Sequence, residues 1–336
     1  MDKKQSFTRT PDIEMNILIT GATGFIGKYL AGALSKRYKV RCLVRKTSDI
    51  STLIGLNVEL IYGDLLDKDS LMPTLHKIDL VYHLAGEVYS RKKHDYYKGN
   101  VLATQNLLEA CKEKGTKRII FLSSTGVYKP STKKTLVTEE SECGPISIYG
   151  KTKLDAERLI KNSDIPWVIV RASLIYGPYQ KSMLNRFFRD AIKKGKVYIL
   201  GNGENLRSLC FIDDLIEGLV LLADKPKVIE KTYILSDNTA HTYNEVIEIA
   251  AKTIQKKLRV VQLPSFLGNI SLKVNSLIGN FGLFLVELYA FQKTQLHEAY
   301  EITKARKEIG YNPKIPLETG LSRTAEWIKS NLPNKC

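Results

Sequence analysis

The chain lacks any pair of cysteines at metal-binding or redox spacing. Its five cysteines, Cys42, Cys111, Cys143, Cys210 and Cys336, are scattered, with no CxxC. That argues against a zinc site or any other metal and against a disulfide framework, and it fits a reducing cytosol. No apolar core of a secretory signal stands at the amino terminus. Met1 to Glu14 are polar and read as a mobile tail ahead of the first strand. Positive charge is plentiful, with a formal net charge of +16, yet no arm concentrates it. Lysines spread along the chain argue against a nucleic-acid partner. They suit a field that steers an anionic cofactor and substrate, with an anionic membrane surface as a third use.

Long apolar runs are also scarce. One charge-poor stretch stands out, Val274 to Gln292, 19 residues with a single charge, Glu287. A spanning helix needs about 20 predominantly apolar residues, and Asn275, Ser276, Asn280 and two glycines interrupt this one. The stretch reads as a core or dimer helix, or as a surface-apolar helical pair giving peripheral membrane contact through residues 264–292. The remaining composition, 43% hydrophobic and 26% charged over 336 residues, is that of a globular protein able to bury a core as one large domain or two lobes.

What is present is an alternation of short apolar runs and helical patterns. Candidate strands are Met15–Thr20, Lys39–Val44, Val58–Tyr62, Leu80–His83, Arg118–Leu122 and Trp167–Val170. Candidate helices lie near Gly24–Ser35, Asp67–Leu75, Tyr96–Lys114 and Ile148–Ile160. This order predicts an α/β fold with a doubly wound parallel sheet. Ligands then sit at the carboxyl ends of the strands.

Those strand ends carry the informative residues. After the first strand comes Thr20-Gly21-Ala22-Thr23-Gly24-Phe25-Ile26-Gly27. Between strand and helix, such a turn sets backbone N–H groups against a pyrophosphate; the competing reading is an ordinary glycine-containing turn. After the second strand, Val44 stands where a site for NAD usually has an acid, and Arg45 follows. A guanidinium there suits a 2′-phosphate, favouring NADP(H) over NAD(H), although a solvated charge pair fits too. Asp64, followed by Leu65, is either an acceptor for an adenine amino group or a turn aspartate. After the fourth strand, His83 reads as a packed histidine, and Leu84, Ala85 and Gly86 permit close approach to a cofactor.

Past the fifth strand stand Ser124 and Thr125, and 25 residues after Ser124 stands Tyr149, with Lys153 at i+4. Tyrosine and lysine then share one helix face. An ammonium beside a phenol lowers its pKa toward working pH, and the phenolate can take a proton from a substrate hydroxyl as hydride leaves the same carbon. Ser124 would hold the reacting oxygen. A surface Tyr–Lys pair is the plainer alternative.

Taken together, TGATGFIG (20–27), HLAG (83–86), SSTGVY (123–128), YGKTK (149–153), VRASLIYGP (170–178), LGNGENLRSLCFIDDL (200–215) and ITKARKEIGYNPKIPLETGL (302–321) closely resemble the extended short-chain dehydrogenase/reductases, the NAD-dependent epimerase/dehydratase group. The resemblance runs from residue 15 to about 330. It implies a Rossmann-type sheet with a smaller C-terminal substrate-binding lobe. Residues 15–175, with a return near 208–238, would form the cofactor domain, and 176–207 with 239–336 the substrate lobe, divided at Tyr176-Gly177-Pro178.

The resemblance also implies roles. Ser124, Tyr149 and Lys153 would be the catalytic triad. Gly21, Thr23, Gly24, Phe25, Ile26, Gly27, Arg45, Asp64, Leu65, Leu84, Ala85, Gly86 and Asn100, with Tyr149 and Lys153, would hold the cofactor. Glu87, Ser124, Thr125, Tyr149 and Arg207 would meet the substrate, Arg207 as a clamp on a diphosphate or else as a loop arginine paired with Asp213 or Asp214. The loop Glu87–Lys93 would overhang the site, its cations meeting an anionic substrate or simply solvated. The dehydratases' acids have no counterpart in Ser124-Thr125-Gly126, which disfavours 4,6-dehydration. The expected activity is reversible hydride transfer at C4 of a nucleotide-linked sugar, by a homodimer. A reductase of a steroid-like or dihydroflavonol-like alcohol, with or without membrane contact, and a non-catalytic cofactor sensor are the alternatives.

Overall fold

Seven parallel strands form the centre of the computed structural model, which describes residues 15–131, 133–180, 191 and 193–331. They are β1 (Asn16–Thr20), β2 (Lys39–Val44), β3 (Val58–Tyr62), β4 (Leu80–His83), β5 (Arg118–Ser124), β6 (Trp167–Ala172) and β7 (Lys231–Leu235), in the order β7-β6-β5-β4-β1-β2-β3. Every neighbouring pair is parallel. Sheets of this kind are covered on both faces, so their central strands are apolar throughout. Ile17, Leu18 and Ile19 of β1 are fully buried. On one face lie α1 (Phe25–Leu34) and, later in the chain, Ile212–Ala223, through Leu30, Leu34, Leu215 and Leu219. On the other lie α2 (Ala103–Lys114) and α3 (Ile148–Lys161), through Leu107, Cys111, Ala156 and Ile160.

This is the expected doubly wound sheet, with differences that have local causes. β5 and β6 run two residues further than their apolar runs, because Ser123 and Ser124 pair in register with Arg171 and Ala172. β7 closes the sheet beside β6. The helix expected over Asp67–Leu75 is helical only at Lys68–Leu71; Pro73 has no N–H to continue it. The long helix expected over Tyr96–Lys114 is interrupted at Tyr97–Leu102 by a wider π turn, a distortion that commonly re-aims a side chain at a functional site.

Beyond β6 the chain builds a second group of elements. Lys196–Leu200 pairs in parallel with Arg259–Leu263, and Leu206-Arg207 pairs antiparallel with His241-Thr242. The helix α4 (Tyr243–Ile254) starts with a capping box between Thr242 and Glu245. The charge-poor stretch is two helices, α5 (Phe266–Gly279) and α6 (Val286–Lys293), broken between them. Among the described residues no helix is long and apolar enough to cross a membrane. Residues 1–14, expected to be a mobile tail, lie outside the described residues.

Candidate active site

The glycine turn has the geometry its sequence suggests. Gly21 has φ +73°, a conformation that strains any residue with a Cβ. A Cβ on it would come within 2.7 Å of the Ala85 nitrogen, and one on Gly27 within 2.2 Å of the Gly21 carbonyl oxygen. Gly24 is the N-cap of α1, with no side-chain cap and no acid in the first turn. The unpaired N–H groups at this helix start face a surface without competing negative charge, which fits the pyrophosphate of a dinucleotide. Thr23, Phe25 and Ile26 are half-buried around it.

The neighbouring strand ends complete the cradle. Arg45 is exposed and makes no ion pair among the described residues. Asp64 uses one carboxylate oxygen to accept from the Leu66 N–H at 2.9 Å, so the turn reading holds for that oxygen. The Leu65 carbonyl accepts from Asn106. His83 is packed: Thr20 and Thr104 bond its two ring nitrogens, at 2.8 and 2.9 Å, and burial drives its pKa to about 3. Leu84 and Ala85 follow, half-buried, and Gly86 is exposed.

Asn100 differs from expectation. The π turn aims its carboxamide at the protein: Oδ1 accepts from the Glu87 N–H at 2.8 Å, and Nδ2 donates to the Glu87 carbonyl and the Thr152 hydroxyl. It ties the loop after β4 to α3 instead of presenting its amide to a ligand. The Glu87 carboxylate accepts from the Tyr89 N–H at 2.9 Å.

Helix α3 carries Tyr149 and Lys153 to the end of β5. Ser147 caps it, accepting from the Gly150 N–H at 3.0 Å. Gly150 is required by contact, since a Cβ there would lie 2.2 Å from the Gly126 carbonyl oxygen. Tyr149 and Ser124 come near enough here for Ser124 to act on the phenol, and Ser124 Oγ accepts from the Gly126 N–H at 3.0 Å. Lys153 lies over the Phe121 ring at 4.1 Å, its ammonium 3.8 Å from where a Cβ on Gly86 would sit. One turn on, Glu157 takes both N–H arms of Arg171, at 3.0 and 2.6 Å, and the Ser123 hydroxyl at 2.5 Å. This buried network fastens α3 to β5 and β6.

In the protein alone, burial pushes the Tyr149 phenol up to about 12, with Ser124 opposing. Burial also pulls Lys153 down to about 7, with Glu157 resisting. The groups acting on Tyr149 are Ser124, Tyr89, Lys293 and Tyr289.

Across the site stands a buried charged cluster that sequence reading largely missed. Arg207 pairs with Glu298, and Lys293 pairs with the same carboxylate. Arg207 is therefore not tied to Asp213 or Asp214; Asp213 holds Arg323 and Asp214 accepts from the Lys314 N–H. Burial opposes every one of these charges, but mutual attraction holds Glu298 below its ordinary pKa and Arg207 and Lys293 above theirs. Tyr243 lies under the Arg207 guanidinium at 5.2 Å, and Thr125 and Tyr300 line the same cavity. Two polar atoms here are buried without a partner, Arg207 Nε and Gln292 Oε1. A narrow cavity between Thr125, Tyr289, Lys293, Glu298 and Tyr300 joins the two halves of the site. Glu157 had a legible signal, as the third polar residue at spacing four on the Tyr149 face. Lys293 and Glu298 had none, because only the fold brings them to Arg207.

Known proteins share this fold. Residues 17–244 match the model of the NAD dependent epimerase/dehydratase family. The chain is 30% identical to an uncharacterised protein of Sinorhizobium fredii, y4nL, over 94% of this chain and 95% of that one. It is 27% identical to an uncharacterised UDP-glucose epimerase of Bacillus subtilis, YtcB, over 94% and 98%. A solved UDP-glucuronic acid 4-epimerase of Bacillus cereus, bound to UDP-glucuronic acid and NAD, superposes with a TM-score of 0.77 at 28% identity, covering 94% of this chain and 99% of that one.

Proposed function

Because the chain belongs to the NAD dependent epimerase/dehydratase family, we propose that it interconverts a nucleotide-linked sugar by reversible hydride transfer at a secondary alcohol, C4 of the sugar. The supporting observation is the meeting of Tyr149 and Ser124 between the glycine cradle and the buried cations Arg207 and Lys293. We read residues 15–175, with the return at 208–238, as the cofactor half, and 176–207 with 239–336 as the substrate half.

Gly21, Gly24 and Gly27 would hold a dinucleotide's pyrophosphate, and Lys153 its nicotinamide ribose. When bound, the dinucleotide supplies a reversible hydride acceptor. Tyr149 then holds or releases the proton of the substrate hydroxyl, and Ser124 fixes that oxygen beside it. With the protein alone keeping the phenol near 12, the phenolate needs nearby positive charge, and a charged Lys153 is one source. The expected preference for NADP rests on Arg45 alone, whereas the Bacillus cereus complex holds NAD; NAD is the form taken here.

Arg207 and Lys293 are the groups for a substrate diphosphate. With Glu298 the trio keeps one net positive charge, and Arg207 Nε lacks an acceptor. Mass spectrometry of the purified protein for retained cofactor, followed by a panel of UDP-, dTDP-, GDP- and CDP-sugars, tests the reading. Retained NAD with conversion of a UDP-sugar supports it. Conversion of none, with turnover of an apolar alcohol, moves the enzyme to the second reading, which the aromatic side chains Tyr89 and Tyr289 around Tyr149 favour.

A further inference from the structure

Helix α5 is turned inside out. Its buried positions are Gly268, Ser271, Asn275 and Gly279, small or polar residues at helical spacing. Each faces the protein for a reason. The Asn275 carboxamide donates to the Leu285 carbonyl and accepts from its N–H, both at 2.8 Å. Lys93 donates to the Gly279 carbonyl at 2.7 Å. A Cβ on Gly268 would strike the Gln295 side chain at 2.6 Å. Of the residues that break the apolar run in sequence, Asn275 and Gly279 thus lie on the inner face, while Ser276 and Asn280 are exposed beside the apolar stripe.

The outer face is apolar. Phe266, Ile270, Val274 and Leu277 are exposed, and the turn that follows adds Phe281, 83% exposed, and Leu283. The helical positions i, i+4, i+8 and i+11 fall on one stripe roughly 80° wide. A helix on the surface of a globular protein normally turns such a stripe inward. A contiguous apolar surface facing out marks an interaction site.

Cations border the stripe. The loop after β4 runs along its tip: the Phe284 N–H donates to the Arg91 carbonyl at 2.8 Å, the Lys93 N–H donates to the Gly282 carbonyl at 2.9 Å, and Lys92 is bridged to Leu283. Arg91 and Lys92 are exposed, and Lys273 is exposed on α5 itself. None of the three is ion-paired among the described residues. The acid of this loop, Glu87, accepts from the Tyr89 N–H, and Asp95 just past it is already bonded to Ser90 and paired with His94.

We propose that this face docks the protein on an anionic lipid bilayer. Phe266, Ile270, Leu277 and Phe281 enter the boundary between headgroups and acyl chains, while Arg91, Lys92 and Lys273 meet lipid phosphates. The charge decides the occupant. A second copy of the chain, meeting the same face across a two-fold axis, would bring a second set of the same cations into one interface. An anionic headgroup layer satisfies the cations and the apolar stripe together. The docked face borders the candidate active site, since Phe284 packs on Tyr289 at 6.0 Å and Tyr289 acts on the Tyr149 phenol. The proposal stands on the surface alone and does not depend on the sugar reading.

Flotation of the full chain with vesicles of phosphatidylcholine, with or without phosphatidylglycerol, tests it. The wild type is expected to float with the phosphatidylglycerol vesicles at about 0.1 M salt and to be released at about 1 M, where charge is screened. Leu277→Ser with Phe281→Ser is expected to lower the bound fraction about tenfold or more. Both side chains are exposed, so an unchanged melting temperature is expected to show that the fold is intact. Arg91→Gln, Lys92→Gln and Lys273→Gln together are expected to reduce binding to the level of phosphatidylcholine alone. Absence of flotation, equal flotation of the variants, or no response to phosphatidylglycerol overturns the proposal. Sedimentation velocity separates the other occupant: a wild-type dimer that the Leu277→Ser, Phe281→Ser pair turns into a monomer, without vesicle binding, assigns the face to a second copy instead.

Discussion

The Glu298 carboxylate is held between the Arg207 guanidinium and the Lys293 ammonium, with all three groups shielded from solvent. A buried carboxylate between two cations is stable only while both partners stay, and removing one member of such a group costs about 3–5 kcal/mol. It also sets how much positive charge the substrate half presents. Glu298→Gln is expected to destabilise the fold by that order and to tighten binding of UDP about tenfold, by freeing two cations for phosphate. Arg207→Ala is expected to weaken UDP about tenfold or more while leaving NAD affinity unchanged. Calorimetric titration measures both. UDP binding that neither change alters removes Arg207 from the diphosphate.

A second prediction concerns the helix that carries Tyr149. The Glu157–Arg171 pair is almost wholly buried, with side chains 1% and 3% exposed. Glu157→Gln leaves an uncompensated guanidinium against β6 and is expected to cost about 3–5 kcal/mol, read from denaturant unfolding. A loss below about 1 kcal/mol, as for an exposed pair, contradicts an anchoring role.

The ammonium of Lys153 titrates in an unusual range. Its pKa in the folded protein, about 7, lies below the ordinary 10.5 because burial opposes the charge. The unfolded chain therefore binds the proton more tightly. The destabilisation is fully present below about pH 7 and fades as pH rises toward 10.5. In the cofactor-free protein, reductive ¹³C-methylation followed by NMR is expected to show one lysine titrating near 7, absent from Lys153→Met. A Lys153 signal with an ordinary lysine pKa contradicts the burial.

Much of this was legible in advance, and the exceptions share a cause. β2, β3 and β4 begin and end where expected; β4 is buried along its whole length, while β3, at the sheet edge, mixes half-buried and exposed residues. The glycine turn was legible because Gly21 and Gly27 meet backbone that any Cβ would strike. The Ser124–Tyr149 meeting followed from strand order. What was not legible depends on contacts distant in sequence. Glu298 is 91 residues from Arg207, yet it decides what Arg207 does. Asn100 turns toward Thr152 through a π turn that local propensity does not encode. Asn275 and Gly279 read as interruptions of an apolar run until the fold showed them on the inner face of α5.

Arg45 is the test of cofactor form. Its side chain is exposed at the end of β2, one strand from the glycine turn. With NAD as the cofactor, Arg45→Ala is expected to change the dissociation constant of NADH by less than about twofold; a rise of about tenfold for NADPH alone would assign Arg45 to a 2′-phosphate. Fluorescence titration reads both. Equal losses remove Arg45 from the 2′-phosphate.

The most direct measurement is turnover of Tyr149→Phe on the UDP-sugar that the wild type converts, with NAD binding measured in parallel. Loss of the proton-transfer group is expected to lower kcat by about 10²–10⁴, with NAD affinity nearly unchanged. Turnover at the wild-type rate in that variant contradicts the placement of Tyr149 at the reacting oxygen, and with it the proposed reaction.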